Sequence, residues 1–199
     1  MPSIRYSSPQ SDDRSPSSPA DFREMMSCFP TGVSVVTSAD LDGQPHGATC
    51  SALASVTLKP PTLLVCLGLG GRTLDAIALS GQFAVNLLHA DARTVALVFA
   101  TSRRDRFAEV PWRRLPTGLP HLHRHALAVA ACSLTQLIVV GDHAVVLGRV
   151  TDVGCTPGSP LLYGMRGFAS WQATTADHHP LGPEPGEAPA PVPEKGTRR

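Results

Sequence analysis

The chain has 199 residues, 42% of them hydrophobic and 17% charged, with a formal net charge of +1. That length suits one hydrophobic core, and the near-neutral balance argues against a polyanionic partner, so nucleic-acid binding is not expected. Five scattered cysteines, Cys28, Cys50, Cys66, Cys132 and Cys155, form no C-x-x-C pair and read as reduced thiols rather than metal ligands or disulfides.

Residues 1–20 are rich in Ser, Pro, Asp and Arg and lack the apolar centre of a signal peptide. No later segment approaches the roughly 20 apolar residues of a membrane span. A cytoplasmic protein without membrane association is the expectation. Composition divides the chain into an unstructured arm over 1–20, one domain over 21–173, and an unstructured tail over 174–199 where Pro, Gly, Glu and Ala dominate.

Within the domain, Phe22, Met25, Met26 and Phe29 recur at helical spacing, with Asp21 as N-cap and Pro30 as the stop. Two strand-like runs, 32–38 and 44–53, flank the turn residues 40–43 and predict a hairpin. The Pro60-Pro61 pair predicts an edge strand or a strand's first residue for the run 62–67. Residues 73–80 read as a helix closed by Gly81, 82–88 as a strand, and 92–100 as a helix with Val95, Ala96 and Phe99 on one face. The clearest signal is the pair of Val, Ile and Leu rich runs 127–140 and 144–153 around Gly141-Asp142, where a glycine at the first turn position suits a type II′ hairpin. Strands dominate, three short helices interrupt them, and no strand alternates regularly with a long helix. The fold class is therefore mainly β, an antiparallel barrel that closes its own edges.

Three segments carry candidate chemistry. Gly68-Leu69-Gly70-Gly71-Arg72-Thr73 departs from the dinucleotide fingerprint, because Thr73 stands where the third glycine belongs. Its glycines and the helix start behind them still suit an anion at Arg72 and Thr73, against a plain loop capped by Thr73. Residues 47–57 are dense in small side chains and hydroxyls, which leaves room beside a kinked strand for a flat ligand. His121, His123 and His125 alternate and would share a face of an extended segment, but no carboxylate or thiol lies close enough in sequence to complete a metal site. A solvated loop near Pro120 is expected instead, with no metal.

Several stretches together resemble the flavin reductase family of FMN-binding split barrels: Phe22-Arg23 with Phe29-Pro30-Thr31-Gly32-Val33, Gly47-Ala48-Thr49, the run 55–61, the run 83–88, Asp105-Arg106-Phe107, Gly141-Asp142-His143 and Pro160-Leu161-Leu162-Tyr163. The resemblance spans about 22–171. It implies a homodimeric split β-barrel that binds FMN or FAD and reduces it with NADH or NADPH. The reduced flavin would pass to a partner flavin-dependent monooxygenase. By position, Thr49, Cys50, Ser51, Ala52, Ser55 and Thr57 would line the flavin, Arg72 and Thr73 its phosphate, and Phe99 and Arg106 would lie nearby. His143 would stand beside the nicotinamide as the catalytic residue, with Tyr163 and 166–168 as further candidates. Ala52 and Leu53 stand where the family commonly has a serine and an aromatic residue. A flavin carrier or redox sensor, and an oxidase of the pyridoxamine-phosphate type, are the alternatives; the latter calls for a basic cluster, for which only Arg103-Arg104 and Arg113-Arg114 are available. A 2′-phosphate on the nucleotide would require an arginine cluster at its adenosine end, which one sequence does not locate.

Overall fold

A computed structural model describes residues 18–101, 103 and 105–171. The expectations for residues 1–17, for Arg104 and for the tail with His178-His179 lie outside the described residues. Helix α1 (Pro19–Ser27) is capped by Ser18 rather than Asp21: the Ser18 hydroxyl accepts from the Asp21 backbone N–H at 3.1 Å, and Pro19 takes the first helical position, where its missing N–H costs nothing. None of its residues is buried. A two-residue strand β1 (Thr31–Gly32) leads into β2 (Ser34–Ala39), which forms the predicted hairpin with β3 (Pro45–Cys50).

The small-residue run breaks at Ser51 and Ala52 and resumes as β4 (Leu53–Leu58), followed by β5 (Pro61–Gly68). Pro61 is the first residue of β5, as expected, but β5 lies between two other strands and the edge falls to β4. Helix α2 (Arg72–Ser80) ends at Gly81, whose φ of 69° is the left-handed value that glycine adopts without strain. Strand β6 (Gln82–Leu88) and helix α3 (Arg93–Phe99) follow. Three further short elements, α4 (Arg106–Glu109), β7 (Arg113–Arg114) and β8 (Pro120–His121), are too brief for periodicity to reveal. Strands β9 (Ala126–Val140) and β10 (His143–Cys155) form the long hairpin, with Gly141 at φ 59° and a two-residue turn. The chain then makes a small hairpin of β11 (Leu161–Gly164) and β12 (Gly167–Ser170), which joins β1 in a separate three-stranded sheet.

The main sheet has seven strands in the order β3-β2-β6-β9-β10-β5-β4, all antiparallel. Its two edge strands, β3 and β4, are consecutive in sequence, and the crossover between them is tied to β5, whose Cys66 N–H donates to the Ala52 carbonyl at 3.0 Å. Val36, Val65, Phe83, Cys132 and Val146, from five different strands, meet Leu74 and Ile77 of α2 in one buried cluster. A flat sheet would not bring these side chains together, so the sheet is rolled into a barrel with α2 packed at its interior. Gly148 makes room for the largest of them: a Cβ there would lie 2.3 Å from Phe83 Cζ. Burial pushes the Cys132 thiol up to about 12.

The outer faces of β2 and β6 are also covered. Val33, Val35 and Leu88 pack with Val95, Ala96 and Phe99 of α3, the helical face the spacing predicts. Beside them Asn86 donates to Val35 O and to Thr37 Oγ1, both at 3.1 Å, and accepts from the Leu122 N–H at 2.9 Å. Thr37 in turn donates to Pro120 O at 2.6 Å. This polar network clamps residues 120–122 onto the barrel, and it overturns the solvated-loop expectation for the histidines that follow Pro120. His121 is buried, and the Nδ1 atoms of His121 and His123 are out of solvent without a hydrogen-bond partner among the described residues. Among the same residues no group of three or more His, Cys, Asp or Glu side chains is arranged to hold a metal.

Candidate cofactor-binding site

Two cavities lie to either side of the crossover from β3 to β4. The first is a cleft of about 430 Å³ over the start of α2. Gly71, the residue before that helix, has no side chain to cap it, and Thr73 is buried in the first turn rather than acting as the cap. The backbone N–H groups of Arg72 and Thr73 find no acceptor among the described residues, leaving the positive end of the helix open to the cleft. Arg106 enters from the other side, its Nη1 donating to Phe99 O at 3.1 Å. Burial, and then the charge of Arg72, lower the Arg106 pKa from its usual value. Among the described residues no carboxylate lines the cleft. Two guanidinium groups that repel one another beside unpaired N–H donors form a site that an anion stabilises.

Local packing explains how the cleft keeps its shape. Thr49 lines it while its hydroxyl donates to Ala96 O at 2.7 Å, tying β3 to α3. Gly47 lets Phe99 lie against β3, since a Cβ there would come within 2.8 Å of Phe99 Cε1. On the far rim the β9–β10 turn is joined to the glycine loop: Leu69 N–H donates to Asp142 O at 2.9 Å, and His143 pairs with Gly68. Asp142 holds the His143 ring through Nδ1 at 2.8 Å, and that bond keeps the Asp142 carboxyl below the usual carboxylate range. The carboxylate accepts, so Nδ1 carries the proton and Nε2, on the side of Gly68, is left available.

The second cavity is a groove of about 800 Å³ bounded by α1, the crossover residues 51–54 and the β11–β12 hairpin. Ser51 and Ala52 are exposed along it, and Tyr163 stands opposite with its ring edge-on to Phe168, centroids 5.1 Å apart. The hairpin is fixed in place: Gly164 lies flush on Pro30, where a Cβ would approach within 2.9 Å, and the Met165 N–H donates to Ser27 O at 2.7 Å. Its turn residues Met165 and Arg166 have φ of 49° and 59°. Neither is glycine or asparagine, so this left-handed backbone costs about 1–2 kcal/mol per residue.

The structure therefore gathers Thr49, Arg72, Thr73, Phe99 and Arg106 in the cleft and Ser51, Ala52 and Tyr163 in the groove; His143 lines neither cavity and is paired across the strands with Gly68 of the cleft wall. It does not bring the side chains of Cys50, Ser55 and Thr57 to either cavity. Cys50 faces the barrel core, its thiol donating to Cys66 O at 3.4 Å and raised by burial. Ser55 and Thr57 lie on the exposed strand β4, where Thr57 Oγ1 accepts from the Lys59 N–H at 3.2 Å. Arg23 and Thr31 also line the groove; the sequence marks them through the family resemblance but not as site residues, because residues 23, 31, 51 and 163 meet only through tertiary packing.

The main sheet is antiparallel with short helices packed on it, and residues 26–172 match the family model of the flavin reductase like domain. The chain belongs to that family. It is 54% identical over 153 residues to the flavin reductase (NADPH) of Lentzea aerocolonigenes, spanning 76% of this chain and 89% of that protein. It is 35% identical over 167 residues to the reductase component of the 4-nitrophenol 4-monooxygenase/4-nitrocatechol 2-monooxygenase of Rhodococcus opacus, covering 80% and 89% of the two chains. Among solved structures, the NADH:FAD oxidoreductase of Streptomyces globisporus in complex with NAD and FAD fragments superposes with a TM-score of 0.73 at 31% identity, covering 79% of this chain and 94% of that one.

Proposed function

We propose that the protein is an NAD(P)H:flavin oxidoreductase that reduces FMN or FAD and supplies the reduced flavin to a partner monooxygenase. The observation that carries this reading is the nearness of the two cavities along the chain: Thr49 lines the cationic cleft and Ser51 and Ala52 the groove, a span of at most roughly 10 Å. A flavin nucleotide fits that path, with its phosphate on Arg72, Arg106 and the α2 N–H groups and its flat ring along the exposed crossover. Bound flavin supplies two-electron chemistry by taking a hydride from the reduced nicotinamide. The chain supplies geometry and electrostatics. Backbone groups at 51–53 face the ring edge, and His143, oriented by Asp142, positions the nicotinamide nucleotide. The similarity to the Rhodococcus opacus reductase component supports a monooxygenase as the recipient.

The working unit is a homodimer. Phe22, Met25 and Phe29 of the α1 region are each more than half exposed, and Val56 and Leu58 of β4 lie open on the sheet edge. An apolar surface of this extent, beside the groove, is what a second protomer covers. The chain acts in the cytoplasm; no helix among the described residues is long and apolar enough to cross a membrane. The test is anaerobic stopped-flow absorbance with FMN or FAD and then NADH or NADPH. Bleaching of the oxidised flavin band, faster than without protein, is the expected result. Flavin binding without bleaching would replace the reductase by a flavin carrier or sensor.

A further inference from the structure

The cleft and the groove each contain two arginines, and only the pair in the cleft is accounted for by a flavin phosphate. Arg23 of α1 and Arg166 of the β11–β12 turn both line the groove, together with Ser27 and Tyr163 and, among the described residues, no carboxylate. Neither forms an ion pair among the described residues, whereas other arginines are committed: Arg103 to Glu109, Arg114 to the carbonyls of Gly43 and Gly118 at 2.8 and 3.0 Å, and Arg93 to the Phe168 ring. Two cations without an ion pair among the described residues, over a cavity large enough for a nucleotide, suit an anionic ligand group.

The presentation of Arg166 is the second observation. Its backbone is held at φ 59°, a conformation its side chain disfavours, on a turn pinned by the Met165 N–H to Ser27 O bond and by Gly164 against Pro30. Because Ser27 and Arg23 belong to the same short helix, those contacts also tie the backbone that carries Arg166 to the helix that carries Arg23. Strain retained at a cavity wall and stabilised by surrounding contacts marks a functional position. Met26 of the same groove supplies an apolar contact for a base.

We propose that Arg23 and Arg166 bind the 2′-phosphate of NADPH, making this end of the groove the adenosine subsite and NADPH the preferred reductant. The inference rests on the reductase reading above. A guanidinium pair distinguishes the two nucleotides because a 2′-phosphate offers two charges and several acceptor oxygens where NADH has one hydroxyl.

The test compares kcat/KM for NADPH and for NADH in the wild-type protein, Arg166→Asn and Arg23→Gln. Asparagine accepts the left-handed backbone, so Arg166→Asn removes the charge while keeping the turn, and its thermal midpoint should not fall. The wild type should favour NADPH at least tenfold. Arg166→Asn should reduce the NADPH value at least tenfold more than the NADH value, and Arg23→Gln severalfold more. Calorimetric titration with 2′-phospho-ADP-ribose and with ADP-ribose tests the site without turnover: the phosphorylated compound should bind more tightly to the wild type and lose that advantage in Arg166→Asn. Equal use of both nucleotides by the wild type, or equal losses for both in the variants, would overturn the inference and leave the reductase reading standing. Oxidation of neither nucleotide would overturn both.

Discussion

Strands β2 and β4 are each six residues long and nearly alike in composition, SVVTSA against LASVTL, yet five residues of β2 are buried and five of β4 are exposed. The difference comes from sheet position. β2 lies inside the order, with the barrel core on one face and α3 with the Asn86 network on the other. β4 is an edge, and its neighbour across the groove is an exposed helix. Amphipathic pattern alone therefore does not locate the core of this barrel; neighbours do.

The most severe way to break the contrast is a matched pair of charges. Val36→Asp places an uncompensated carboxylate in the barrel core and should abolish cooperative folding, a loss of more than about 4 kcal/mol. Val56→Asp on β4 should fold normally by circular dichroism and shift sedimentation from dimer to monomer. Dimeric sedimentation of this variant would remove β4 from the proposed interface.

Next in size is Asn86→Ala, which deprives Val35 O, Thr37 Oγ1 and the Leu122 N–H of their partner. It should cost about 3 kcal/mol in urea unfolding. Gly148→Ala should cost about 2 kcal/mol by forcing Phe83 out of its position, since overpacking in a close-packed core is not relieved cheaply. In the site, Arg72→Ala should weaken FMN binding about tenfold, roughly 1.4 kcal/mol, in a fluorescence titration, with little change in melting temperature. His143→Ala should raise the KM for the nucleotide more than it weakens flavin binding; equal losses would remove His143 from the nucleotide site.

The smallest effect concerns pH. Burial, then the Arg113 charge and His123, lower the His121 pKa below its ordinary 6.5. The unfolded chain then takes the proton first, so this contribution is complete above about pH 6.5 and declines as the pH falls through the window below it. His121→Phe should flatten the acid limb of a stability-against-pH curve. An unchanged limb would assign the acid sensitivity to other groups.

Much of the barrel was legible in the chain because its signals are local. The β2–β3 hairpin, the 127–153 hairpin with its glycine turn, α2 closed by Gly81 and the inward face of α3 all follow from contiguous residues. The glycine loop with Arg72 and Thr73 likewise announced a helix start suited to an anion. The short elements α4, β7, β8, β11 and β12 carry too few residues for a period, and they form because longer elements offer them partners.

The sequence by itself determined a mainly β domain, its long hairpin, its family resemblance and half of the anion site. Only the tertiary structure decided that Cys50 turns into the core while Thr49 and Ser51 face two cavities, that β4 rather than β5 is the edge, and that Arg23 and Arg166 share a groove. The reason is physical. Backbone propensity and turn chemistry act over a few residues, whereas a barrel's interior, edges and cavities are set by strand order and by contacts between residues more than a hundred positions apart.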